Sequence, residues 1–283
     1  MMKFAFSTES CPDLLSIARK AREYGYDGVE VSGSAGAARS PTTVALDDPT
    51  RNREVHQAFN AAGVEIACIA APVRMTGDRH ADGPNAEALR RWIDLAAELA
   101  CPRVMIRDPE LRRGISGIAA GIVLGDWLAP LADHALTRNV SLLVCNESAL
   151  TSARLMWTML ERMGHPAVGC CWDIANAAKV GESPSVSVPT LNSQIRYARI
   201  GDIAPASETA MSGEPGHASL QLFLTRLRGI GYDGYVTAAM RTASHGEPDE
   251  YLRDAINRFR KWGHPALSMA AKGRKQETRP KAG

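Results

Sequence analysis

The chain has 283 residues, 45% of them hydrophobic, which is enough to bury one large core and is the usual size of a single α/β catalytic domain. Its 33 basic and 31 acidic residues leave a formal net charge of +2, spread along the chain without the basic-aromatic interleaving of a nucleic-acid binder. Neither a secretory leader nor a membrane span can be read in it, and the six cysteines fall at neither CxxC nor disulfide-framework spacing, so the expectation is a reduced cytoplasmic protein. A small-molecule partner is expected, with no nucleic acid and no membrane, and homodimerisation stays open.

Short apolar runs predict strands at Lys3 to Ser7, Gly28 to Ser32, Val64 to Ala71 and Arg103 to Arg107, and then at Ser141 to Asn146, Ala167 to Asp173, Tyr197 to Asp202 and Tyr235 to Ala239. Stripes at i, i+3, i+4 and i+7 predict helices between them. These begin at Leu14, Ile17, Ala18 and Ala21 and recur at Leu89, Trp92, Ile93 and Ala96. Three more follow, at Met156 to Met163, Leu220 to Leu227 and Leu252 to Phe259. Their Met and aromatic members are read as packing. Alternating βα units imply a parallel sheet, and eight strand candidates match one (β/α)8 TIM barrel over residues 1–267. The basic stretch from 268 to 283 has no apolar period and reads as a frayed tail. A local repeat, Gly25-Tyr26-Asp27-Gly28-Val29-Glu30-Val31 against Gly231-Tyr232-Asp233-Gly234-Tyr235-Val236-Thr237, places a left-handed helix cap before two of the strands.

Several segments jointly carry a resemblance: Gly25 to Glu30, Val140 to Val144, Val168-Gly169-Cys170-Cys171-Trp172-Asp173, Arg196 to Asp202, and Gly231 to Val236. In this order the chain resembles the xylose isomerase-like TIM barrels, the sugar phosphate isomerase/epimerase superfamily, over nearly its whole length. The resemblance implies a divalent cation at the C-terminal mouth, held by a Glu, an Asp, a His and a Glu on the last four strands. On this sequence those positions read Cys145, Asp173, Arg199 and Ala239. Two carboxylates are missing and a permanent cation replaces imidazole, so no metal ligands and no cofactor are expected, a weak site for Mn, Mg, Co or Zn being the remaining alternative. A two-residue shift of the alignment would offer Glu147 as the carboxylate of the fifth strand.

Arg199 has two readings, an ion pair with Asp173 or a fork for a substrate carboxylate or phosphate. Arg107, with Asp108 beside it, ends the fourth strand candidate and Arg241 follows the eighth, where loops face the active mouth of such barrels. Acid-base candidates are Asp173, Glu147, and the pair Glu214 and His217 in a Gly-Glu-Pro-Gly-His loop that resembles the Gly-Glu-Gly loop of the family. Asn146, Asn176 and Cys145 complete the candidate substrate contacts, Cys145 being read as a buried thiol with no histidine placed to activate it. His80 and His245 are held in reserve, while His56, His134 and His165 are read as structural or solvated.

The function expected first is isomerase, epimerase or lyase chemistry on a small polyhydroxylated or keto compound of carbohydrate metabolism, by proton abstraction without the metal. A non-catalytic barrel that binds a small anion or partner is the second reading. An ordinary metal-dependent sugar isomerase is the third.

Overall fold

The computed structural model describes residues 1–8, 13–34, 42–109, 115–201, 220–239 and 248–263. Its strands are β1 (Lys3–Ser7), β2 (Gly28–Ser34), β3 (Thr43–Ala45), β4 (Glu65–Ala70), β5 (Arg103–Arg107), β6 (Ser141–Cys145), β7 (Val168–Asp173), β8 (Ile195–Gly201) and β9 (Tyr235–Ala239). They run in the order β1-β9-β8-β7-β6-β5-β4-β2-β3, every pairing parallel, and β1 also pairs with β2. That extra pairing closes a ring of eight, so the predicted barrel is present, with β3 appended outside it beside the end of β2.

Helices α1 (Leu14–Tyr24), α3 (Arg79–Glu98), α5 (Ala153–Met163), α8 (Leu220–Gly229) and α9 (Pro248–Gly263) carry the five predicted stripes. Four more were not marked by periodicity: α2 (Pro49–Ala62), α4 (Gly117–Thr137), α6 (Ile174–Lys179) and α7 (Pro184–Leu191). The stripe residues Leu14, Ile17, Leu89, Trp92, Phe223 and Phe259 lie at 1% exposure or less, between the strands and the helical shell. Side-chain oxygens of Asp13, Ser116 and Ser152 cap α1, α4 and α5 by accepting an N–H of the first turn. Gly25 and Gly231 take φ of +81° and +74°, the left-handed caps that the repeat predicts.

Inside the ring, strand alternation stacks Ala5, Cys68, Met105, Leu143, Cys171, Tyr197 and Tyr235 into a second, central core. At the N-terminal end Tyr235 donates its hydroxyl to Glu65 Oε2 at 2.8 Å, and Lys3 pairs with Glu65 at 2.7 Å. Above it Thr237 Oγ1 meets the Tyr197 hydroxyl at 2.6 Å. The barrel is thus a packed floor with one functional end, where the βα connections gather. Two register shifts disturb the ladder, between Val29 and Glu30 of β2 and between Cys170 and Cys171 of β7. In the second, Arg196 is the extra residue, which lets β8 begin at Ile195, two residues before its predicted start. The tail from 268 to 283 lies outside the described residues.

Candidate functional site

Alternation with the central core puts Cys145, Asp173, Arg199 and Ala239 on the inward faces of β6 to β9, since they follow Leu143, Cys171, Tyr197 and Tyr235 at even spacing. All are buried. The predicted convergence on one mouth is therefore present, but the partner of Arg199 is new. Its Nε and Nη2 donate to Glu30 Oε1 of β2 at 3.1 and 3.0 Å, while Nη1 stands 4.0 Å from Asp173 Oδ2. Arg199 is 4% exposed and both carboxylates are wholly buried, so a guanidinium lies between two acids in a water-poor interior.

Asp173 is held from its other side. Its Oδ1 accepts the N–H of Ala175 at 2.9 Å, capping α6, and that of Gly201 at 3.3 Å. Asn146, expected as a substrate contact, instead imitates a strand: its Nδ2 donates to Asp173 O at 3.0 Å and its Oδ1 accepts Asp173 N at 2.7 Å. Asn176 sits on α6, where its Oδ1 accepts Lys179 Nζ at 2.9 Å. Neither amide is among the described residues that line the open part of the mouth, and Asn146 braces the backbone of Asp173.

That open part is a cavity of about 420 Å³ with Ser32 and Gly33 on the β2 side, Arg74 and Arg107 at the rim, and Cys145, Glu147 and Arg199 below. Glu147 is the carboxylate among its described lining residues. Its Oε2 takes Arg74 Nη2 at 3.0 Å and Arg107 Nε at 3.2 Å; among the described residues Oε1 accepts no hydrogen bond. Arg74 was not anticipated. It lies in the stretch after β4, whose backbone is pinned by Asn85 Nδ2 donating to Arg74 O at 2.9 Å. Asp82 takes the N–H groups of Thr76 and Gly77 in the same turn, and Trp127 Nε1 donates to Asp82 O.

Asp108 fixes the other half of the rim. Its fully buried carboxylate accepts the N–H groups of Glu147 (3.1 Å), Ser148 (2.7 Å) and Leu150 (2.6 Å), so it shapes the turn that presents Glu147. Burial pushes its carboxyl up to about 6, against the opposing pull of those three N–H groups and Arg74. The folded state therefore holds this proton more tightly than the unfolded chain does. Stability from the group is fully present below about pH 4 and is lost as pH rises through about 6, a change on the order of 3 kcal/mol. Asp108→Asn, which does not titrate, should remove that slope: urea unfolding at pH 4, 5, 6 and 7 should show wild type losing stability relative to the variant across this window. A pH-independent difference would sink the assignment.

Of the four strand-end positions one is a carboxylate, one a thiol, one an alanine and one a guanidinium that brings positive charge into the same space. Among the described residues no group of three or more His, Cys, Asp or Glu side chains is placed to hold a metal ion. Cys145 is buried beside Cys171, whose thiol burial pushes well above its ordinary value.

Glu214, His217, Arg241 and His245 lie outside the described residues. His134 pairs with Asp94 and His165 with Asp133, both away from the mouth. His80 belongs to the first turn of α3 and not to a loop, its N–H capped by Asp78. Among the described residues no helix is long and apolar enough to cross a membrane.

Comparison with known proteins adds to this geometry. A profile described as xylose isomerase-like TIM barrel matches residues 18–262. The chain is similar to fructoselysine 3-epimerase of Shigella flexneri, 26% identical over 266 residues that make up 86% of this chain and 90% of that protein. Among solved structures, a D-tagatose 3-epimerase-like protein superposes with a TM-score of 0.75 at 16% identity, covering 94% of this chain and 100% of the other. The apo 3-keto-D-glucoside 4-epimerase of E. coli superposes at 0.73 with 15% identity, covering 92% and 100%. At such identities the structural likeness speaks for the fold alone.

Proposed function

We propose that this chain, which belongs to the xylose isomerase-like TIM barrel family, is an epimerase or isomerase of a hydroxylated carbonyl compound that moves a proton beside the carbonyl without a divalent metal. The names of its relatives support the reaction class. The observation that carries the rest is the guanidinium of Arg199, fixed by Glu30 at an inward strand end and bordering a cavity whose wall holds Glu147.

Abstraction of a proton next to a carbonyl leaves negative charge on oxygen, and the barrier falls when a fixed positive group meets that charge in a water-poor site. Arg199 is such a group and needs no reorganisation, because Glu30 holds it. Glu147 is the acid-base residue: it lines the cavity, and its Oε1 is open to a substrate proton. Delivery of a proton to the opposite face of the same carbon gives an epimer, and delivery to the neighbouring carbon an isomer. Loss of a β-hydroxyl from the same enolate would give the lyase outcome.

The test is solvent exchange. Protein dialysed against chelator, holding well under one Mn, Mg, Co or Zn per chain, should still catalyse deuterium incorporation from D2O next to the carbonyl of a ketose, read by NMR. Exchange that appears only when manganese or cobalt is returned would overturn the metal-free reading.

A further inference from the structure

We infer that Cys145 and Cys171 form a redox-modification site, two thiols placed to close into a disulfide at the base of the mouth when a hydroperoxide enters the cavity. This goes beyond the proposed reaction and does not rest on it.

Strand register makes the pair. Cys145 of β6 and Cys171 of β7 are partner residues on adjacent parallel strands, and both belong to the central core inside the ring. Adjacent strands lie about 4.8 Å apart. That falls inside the range of roughly 4.4 to 6.8 Å between Cα atoms that a disulfide spans. Both thiols are free, and the two side chains stand within hydrogen-bonding reach of each other.

The other described cysteines are set apart. Cys170 precedes Cys171 in sequence, but alternation turns it outward into the core between strands and helices. Cys101 donates its thiol to Arg103 O at 3.2 Å. Cys68 faces inward on β4, with β5 between it and β6.

Access decides the order of events. Cys145 lines the cavity, whereas Cys171 is wholly buried. Burial first, then the Cys145 side chain and Glu30, push the Cys171 thiol well above its ordinary value, with Arg199 opposing them. Cys145 is therefore the sulfur that meets the peroxide and Cys171 the one that resolves. With hydrogen peroxide, Cys145 gives up its thiol proton and its sulfur attacks one oxygen. The O–O bond breaks, one water leaves, and Cys145 becomes a sulfenic acid. The Cys171 sulfur then attacks that of Cys145, forming the S–S bond and breaking the S–O bond, and its proton departs with the hydroxyl as a second water. Two thiols lose two electrons and the peroxide gains them. The bridge ties together the strand ends that carry Glu147 and Asp173, each two residues beyond a bridged cysteine.

The experiment is a non-reducing peptide map of the full chain. Folded, reduced protein is treated with hydrogen peroxide, and the remaining thiols are blocked with iodoacetamide in urea. Before blocking, the chain should become about 2 Da lighter. A peptide carrying Cys145 should be linked to the one carrying Cys170 and Cys171. The link should survive Cys170→Ala, disappear in both Cys145→Ala and Cys171→Ala, and open with dithiothreitol. In Cys171→Ala, where nothing resolves the sulfenic acid, Cys145 should advance to sulfinic acid. Thermal melts establish that the variants are folded, and the wild-type map decides the question for any that is not. The site is overturned by a link that is lost in Cys170→Ala and kept in Cys171→Ala. Wild-type Cys145 and Cys171 both still blocked as free thiols, or Cys145 reaching sulfinic acid beside a free Cys171, overturns it equally.

Discussion

Replacing Arg199 with methionine is expected to destabilise the barrel by on the order of 3 to 5 kcal/mol at neutral pH, as happens when one partner of a buried ion pair is removed. The substitution leaves Glu30 and Asp173, both wholly buried, facing each other without their cation. Two carboxylates in that position cannot both stay ionised cheaply, so the loss should shrink as pH falls and they take up protons. Arg199→Met combined with Glu30→Gln should recover part of the loss, because it removes one of the stranded charges. Urea unfolding of the single and double variants between pH 5 and 8 measures both effects. Equal stability of wild type and Arg199→Met at pH 7 would show that the guanidinium does not balance these acids.

The second large effect is on turnover. Glu147→Gln should reduce solvent exchange and epimerisation by roughly 10²- to 10⁴-fold, the usual worth of a positioned acid-base group. Its stability should change little, since Glu147 is partly exposed and its contacts are rim ion pairs that a glutamine oxygen can still accept. This separation of kinetics from folding distinguishes Glu147 from Asp173, whose removal would also strip the α6 cap and an acid facing Arg199. Exchange at the wild-type rate in Glu147→Gln would move the base to another group.

Much of the scaffold was legible because barrel strands are continuous apolar runs and their helices keep a 3.6 period. β3 was not, since three residues with a single aliphatic centre, Val44, carry no period, and it forms only by extending the edge of β2. α4 was missed for the opposite reason: its apolar residues surround the helix and give no stripe. The inward strand ends came from the family resemblance, and strand alternation in the structure puts Cys145, Asp173, Arg199 and Ala239 on the inward faces it implies. The partner of Arg199 was not legible. Glu30 stands 169 residues away, in a segment that reads as a family signature, and only ring closure brings the two together. The role of Asp108 was hidden in the same way, because it acts through backbone N–H groups some 40 residues on, and Arg74 because its partner Glu147 stands 73 residues away. Asn146 misled because a polar residue at a mouth suggests a ligand, whereas this one replaces a missing rung of the ladder.

The tyrosine floor beneath the mouth has a kinetic consequence. With Tyr235 tied to Glu65 and Tyr197 to Thr237, the barrel is a blind well, and whatever enters must leave by the same opening. In the proposed reaction substrate and epimer would differ at one carbon and meet the same walls, so the product would occupy the well nearly as long as the substrate. Progress curves should therefore bend early through competitive product inhibition, and net flux in one direction will depend on how fast the epimer is drained from solution.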